Sequence, residues 1–226
     1  VTDLATPTTT PTRVRRWWLT VPASAGIAYT AAWIAGLSVS SASTDVHSTG
    51  AELVAAYTGH QTGAIAQFVL TEGVASVFLA VVAFGLARSG RAAGARRAAF
   101  WTAATGGIAA LIAFVQCGLG IVVAGPATSN GDAATAGTLS ETINRLDGVK
   151  MFLLAGLALA GTALARRVGL PAWLRFTGPA LAVAIVLSGV GYLFLLDGFS
   201  VAAWVSLPLL LVWVTGTGIV LGRNRR

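Results

Sequence analysis

Glu72 lies inside the apolar run Phe68–Phe78, FVLTEGVASVF. A charged group at the centre of a bilayer costs about 3 kcal/mol on insertion scales, so it must turn toward protein or water. Ser76 and Ala80 follow at four-residue spacing and form a small-residue face suited to helix packing, so Glu72 is expected to point at protein. Gln116 sits in the next apolar run. Two antiparallel helices would bring it to the depth of Glu72. Gln67, Tyr29, Tyr192 and Lys150 fall in the same half of the chain's apolar layer. Together these residues predict a polar, outward-opening pocket, with Glu72, Gln116, Gln67, Tyr192 and Lys150 as its ligand-binding side chains. The chemistry on offer is proton titration or recognition of a ligand by a carboxylate. The simpler alternative is a Glu72–Gln116 hydrogen bond that locks two helices together.

Lys150 is the single lysine among 15 basic residues. It reads most simply as a side chain that snorkels to the interface, and otherwise as a counter-ion for Glu72 or Asp197. Asp197 is expected to end the fifth helix in water. His47 and His60 stand alone, without the further ligands a metal site needs. Cys117 is the only cysteine, which excludes an intramolecular disulfide, and it suits helix packing beside Thr105, Ala109 and Ala113. Gly156 and Ala160 offer a similar small face in the fourth helix. There is no glycine-rich phosphate loop, no HExxH, no GxSxG and no paired acidic motif for a diphosphate. No catalytic residue, metal site or cofactor is assigned.

The elements that must hold these residues are long and apolar. The 226 residues are 55% hydrophobic and 10% charged, with mean hydropathy +0.77. Soluble domains carry about 25% charged residues. A membrane span needs about 20 apolar residues and must be helical, because lipid offers backbone groups no partner. Six segments qualify: Trp17–Ser38, Gly63–Ala87, Ala98–Ala124, Gly148–Ala165, Phe176–Leu196 and Val201–Leu221. The first is longer than a cleaved signal's apolar core, so it is read as a retained span. The expected organisation is a disordered tail over 1–16, a six-helix membrane domain over 17–222 and a basic tail over 223–226.

The arginines orient the bundle. Arg13, Arg15 and Arg16, then Arg88, Arg91, Arg96 and Arg97, then Arg166, Arg167 and Arg175, and finally Arg223, Arg225 and Arg226 alternate with acidic connections. By the positive-inside rule these 13 of 15 basic residues face the cytoplasm, so both termini are expected inside. The net charge of +7 therefore reads as membrane topology and not as nucleic-acid binding. Trp17, Trp18, Trp101 and Trp173 fit the interfacial belt on that side. The arginine, alanine and glycine bias suggests a bacterial plasma-membrane protein.

Outside, Thr49 and Glu52 have capping-box spacing, and Leu53, Val54 and Tyr57 share a face. This predicts a short amphipathic helix between the first two spans, lying on the membrane surface or capping the bundle. Pro126–Gly137 reads as a loop. Thr138 and Glu141 read as the next helix start, with Glu141 and Arg145 paired one turn apart. The turn Asp197–Ser200 is short enough to make helices five and six neighbours.

The turn Gly169-Leu170-Pro171-Ala172-Trp173-Leu174, the helix end Gly189-Val190-Gly191-Tyr192-Leu193 and the following Asp197 accompany the six-span layout. In these features the chain resembles a family of bacterial six-helix integral membrane proteins, a domain of unknown function. The resemblance implies an architecture and a recurring acidic residue in helix two, like Glu72; it implies no catalytic residues.

The sequence therefore predicts an all-α polytopic membrane protein that binds a lipid, a small apolar ligand or a partner protein around Glu72. The alternatives are a small proton-coupled transporter, expected in that case to be a homodimer, and an intramembrane enzyme acting on a lipid or isoprenoid.

Overall fold

The computed structural model describes residues 14–39 and 44–223, apart from the side chains of residues 14–20, 197 and 200. All regular structure among them is helical. Helix α1 spans Val14–Val39 and α2 spans Gly50–Tyr57. Helices α3 (Gln61–Ala92), α4 (Arg96–Ala127) and α5 (Ala133–Ala165) follow. Then come α6 (Ala172–Phe194), the short α7 (Asp197–Ser200) and α8 (Ala203–Arg223).

Five helices, α3, α4, α5, α6 and α8, are long and apolar enough to cross a membrane, with mean hydropathy between 1.7 and 2.3. The shortest has 21 residues. At roughly 1.5 Å per residue it matches hydrocarbon about 30 Å thick. Their outward faces are apolar: Phe84, Ile108, Leu111, Phe114, Phe176 and Val183 are all exposed. Water would penalise such a surface, whereas lipid tails would not. Helix α1, 26 residues long, packs into the same bundle and exposes Ile27, Ile34 and Leu37.

The six long helices close a ring. Each packs on its neighbour in the order α1, α3, α4, α5, α6, α8, and α8 returns to α1. Small residues let the backbones approach. At Gly148 of α5, an added Cβ would meet backbone and Cβ atoms of Leu193 of α6 at 2.7–2.8 Å. Where α1 meets α8, Thr30 and Thr215 share a hydroxyl hydrogen bond of 2.7 Å, and Thr215 Oγ1 donates to the Gly26 carbonyl at 2.8 Å. Away from α2 the interior of the ring is filled by Leu86, Leu157, Leu164, Leu174 and Trp213, all buried.

Helix α2 covers part of the other end. Its capping box is complete: Thr49 Oγ1 accepts from the Glu52 amide at 3.3 Å, and Glu52 Oε2 accepts from the Thr49 amide at 2.7 Å. Donation from the Thr49 amide, and from the Thr49 hydroxyl at 2.9 Å, to Glu52 Oε2 holds the exposed Glu52 carboxyl below its ordinary pKa. Leu53 and Tyr57 are buried against Ala64, Val123, Ala124, Ala127 and Ala136, with Val54 beside them. The face expected of the amphipathic helix thus packs on protein and caps the bundle.

One expected boundary is wrong. Helix α5 does not start at Thr138 but at Ala133, and Asp132 caps it by accepting from the Thr135 amide at 3.0 Å. Thr138 lies inside the helix and donates to the Ala134 carbonyl. Glu141 and Arg145 do pair, at 2.7 Å on the exposed face. The expected loop from Pro126 also contracts, because the backbone passes Pro126 within a π-helical segment, Val123–Ala127. A π turn leaves the bond that proline cannot donate with less consequence than a regular α-helix interior would.

Candidate functional site

The site begins with a local irregularity in α3. Residues Val69–Val74, around Glu72, form a π-helical segment. Two side chains bond to backbone carbonyls in and beside the widened turns: Thr71 Oγ1 donates to Gln67 O at 2.9 Å, and Ser76 Oγ donates to Gly73 O at 2.7 Å. Such segments insert a residue into the helical register and re-aim the side chains that follow; they occur frequently at functional sites.

Helix α5 supplies the partners. Asp147 and Lys150 are three residues apart and so lie on one helical face. Lys150 Nζ sits 2.7 Å from Glu72 Oε2 and 2.6 Å from Asp147 Oδ1. The two carboxylates therefore grip one ammonium. The Lys150 side chain keeps 8% of its surface accessible, against 13% for Glu72 and 19% for Asp147. Gln116 of α4, fully buried, stands behind this group and donates to the Ile143 carbonyl at 3.0 Å and to Asp147 Oδ1 at 3.3 Å.

Two expectations are corrected here. Lys150 does not snorkel. With α5 beginning at Ala133, Lys150 lies far along the helix instead of near its end, and its ammonium is held by two carboxylates. Gln116 does not pair with Glu72. It fixes Asp147, which in turn helps hold Lys150.

The cluster opens on a cavity of about 560 Å³ at the α2 end of the ring. Its charged lining residues are Asp45, Glu72, Asp147 and Lys150. Aromatic walls come from Tyr29 and Trp33 of α1, Tyr57 of α2, Phe68 of α3, Tyr192 of α6 and Trp204 of α8. Leu79, Leu154, Ile185 and Leu210 supply apolar surface. The volume and the mix of apolar walls with a few polar groups are those of small-molecule sites. The Trp33 indole nitrogen is buried near Tyr29 without completing a hydrogen bond among the described residues.

Of the five residues singled out in the sequence, Glu72, Lys150 and Tyr192 line this cavity. Gln116 lies behind it. Gln67 stays outside the lining, and its carbonyl serves Thr71. Asp147 went unrecognised, because it reads as one more acid in a connection. Its spacing from Lys150 was the available signal. Asn144 and Ser140 extend the same α5 face into the cavity.

With both carboxyls ionised, two carboxylates against one ammonium leave one negative charge in excess. Glu72 Oε1 and Asp147 Oδ2 receive no donor among the described residues. The arrangement can accept hydrogen bonds or a proton at these oxygens. No group of three or more histidine, cysteine, aspartate or glutamate side chains suited to a metal ion occurs among the described residues. No family model, curated protein or solved structure matches this chain.

Proposed function

We propose that this protein is a six-span module of the bacterial plasma membrane, with both termini in the cytoplasm, and that it binds a lipid, a small ligand or a partner protein through an outward-facing cavity around Glu72. The topology rests on charge. Arg88, Arg91, Arg96 and Arg97 flank the α3–α4 turn, Arg166, Arg167 and Arg175 flank the α5–α6 turn, and Arg223 ends α8. These turns share one end of the bundle, opposite α2. The five apolar helices support a multi-pass protein, and α1 is taken as the sixth span.

The observation that carries the binding reading is the buried Glu72–Lys150–Asp147 cluster in the wall of a cavity. Three ionisable groups inside a membrane bundle are costly to keep, and such groups mark binding or transport pathways. Native mass spectrometry of gently extracted protein tests the reading. A bound species that is lost when Glu72 or Asp147 is neutralised supports it. Ligand-free protein from every gentle extraction overturns it.

A second reading, a proton-coupled transporter acting as a homodimer, draws on the same titratable cluster. Against it, no buried charged side chain among the described residues continues from Lys150, Glu72 and Asp147 toward the arginine end. The groups buried there include the hydroxyls of Thr102 and Thr217. An enzyme acting on a lipid or isoprenoid would use Glu72 as the acid, with Lys150 and Asp147 as its neighbours. Collapse of an imposed pH gradient on addition of a substrate, faster in proteoliposomes than in protein-free liposomes, would favour the transporter.

A further inference from the structure

The charges that line the cavity are unbalanced, and they are unbalanced in one direction. Asp45 stands with Val46 and Thr44 in the segment leading to α2, while Glu72 and Asp147 stand deeper in the cavity. Lys150 is the one cation among the residues that line it. Lys150 is also spent: its ammonium is already shared by Glu72 Oε2 and Asp147 Oδ1. Their sister oxygens, Glu72 Oε1 and Asp147 Oδ2, have no donor among the described residues, and both residues line the cavity. A buried excess charge is expensive until a counter-charge reaches it.

We infer that the cavity takes a monocationic amine with an apolar body, its ammonium group pairing with the carboxylates of Glu72 and Asp147. This rests on the reading of the cavity as a ligand site and names the ligand's class. An ammonium supplies the missing positive charge and several N–H donors in one group. Tyr29, Trp33, Tyr57 and Tyr192 line the same cavity, and aromatic rings attract cations. The apolar body has Leu79, Leu154 and Ile185 to pack on. A carboxylate or phosphate ligand has no such partner, because it would compete with two acids for an ammonium they already hold. The amine can belong to a free molecule or to an aminophospholipid headgroup, and the shared chemistry is the ammonium.

The test is isothermal titration calorimetry at pH 7 on the full chain in neutral detergent, with 4-phenylbutylamine, 4-phenylbutan-1-ol and 4-phenylbutyrate as probes. The amine is expected to bind at least tenfold tighter than the alcohol, and the carboxylate not to bind measurably. Glu72→Gln is expected to bring amine and alcohol to within about threefold of each other. Asp147→Asn provides the same comparison if Glu72→Gln fails to fold. Equal or tighter binding of the alcohol or the carboxylate overturns the amine and leaves the cavity as a ligand site for another class. Failure of all three probes, with no bound species in native mass spectrometry, overturns both readings. Repeating the titration in nanodiscs of phosphatidylethanolamine and of phosphatidylglycerol separates the sources. Loss of amine binding only in phosphatidylethanolamine assigns the ammonium to the lipid, and equal binding in both assigns it to a free amine.

Discussion

Replacing Lys150 by methionine would leave Glu72 and Asp147 facing each other with no cation between them. Breaking a buried ion pair from one side costs about 3–5 kcal/mol, because the remaining charge is uncompensated. Lys150→Met is therefore expected to lower the thermal midpoint in detergent more than any other single change in the cluster. Glu72→Gln should be much milder, because the charge-assisted hydrogen bond it loses is offset by relief of the excess negative charge and Asp147 still holds the lysine. The double variant should lose about 1–3 kcal/mol less than the two single losses combined, as coupled neighbours do. Strict additivity would mean that the two side chains do not interact. The sequence shows Glu72 as a charge that must face inward, since lipid leaves it no other choice. It shows Lys150 less well. A lysine near a helix end has an exit to water, and only the true start of α5 removes that exit. Asp147 is visible only after its three-residue spacing to Lys150 is read on a helix and not on a loop.

At the scale of the element, long apolar runs were legible because nothing but a helix satisfies their backbone in lipid. The start of α5 was not, because Asp132 and Thr138 are both good caps and the intervening Ala133-Ala134-Thr135-Ala136-Gly137 has little apolar periodicity. The π-helical turn at Glu72 leaves no sequence mark. Two predictions belong here. The first concerns α5 and α6, which meet at Gly148, where an added Cβ would strike Leu193 backbone atoms and not a flexible side-chain tip. Gly148→Ala is expected to cost about 1–3 kcal/mol as overpacking, read as a lower thermal midpoint, whereas an unchanged midpoint would mean the helices do not touch there. The second concerns α2. The folded Glu52 carboxyl is held below its ordinary pKa by the Thr49 amide and hydroxyl. Its contribution is present above the unfolded glutamate's pKa and is lost as pH falls through the lowered folded value. Helix α2 should therefore fray under acid conditions, seen as a change in Leu53 and Val54 amide shifts by NMR, and Thr49→Ala should remove that dependence. The same acid transition in Thr49→Ala would contradict the role given to the cap.

At the scale of the molecule, the apolar helices and the alternation of arginine-rich with acidic connections were open to reading. The closure of six helices into one ring was not, since helix adjacency is a tertiary fact that spacing along the chain does not encode. That closure leaves an opening at the α2 end, where the charge cluster lies, while leucines and Trp213 fill the rest. The central claim is that this cavity opens on the side of the membrane away from the arginines. Cysteine labelling with a membrane-impermeant maleimide on intact cells tests it most directly, using Cys117→Ala as background and one new cysteine at a time. Asp45→Cys, in the cavity lining beside α2, is expected to react, while Arg91→Cys reacts only after the cells are lysed. Labelling of Arg91→Cys on intact cells, with Asp45→Cys protected until lysis, would contradict the account.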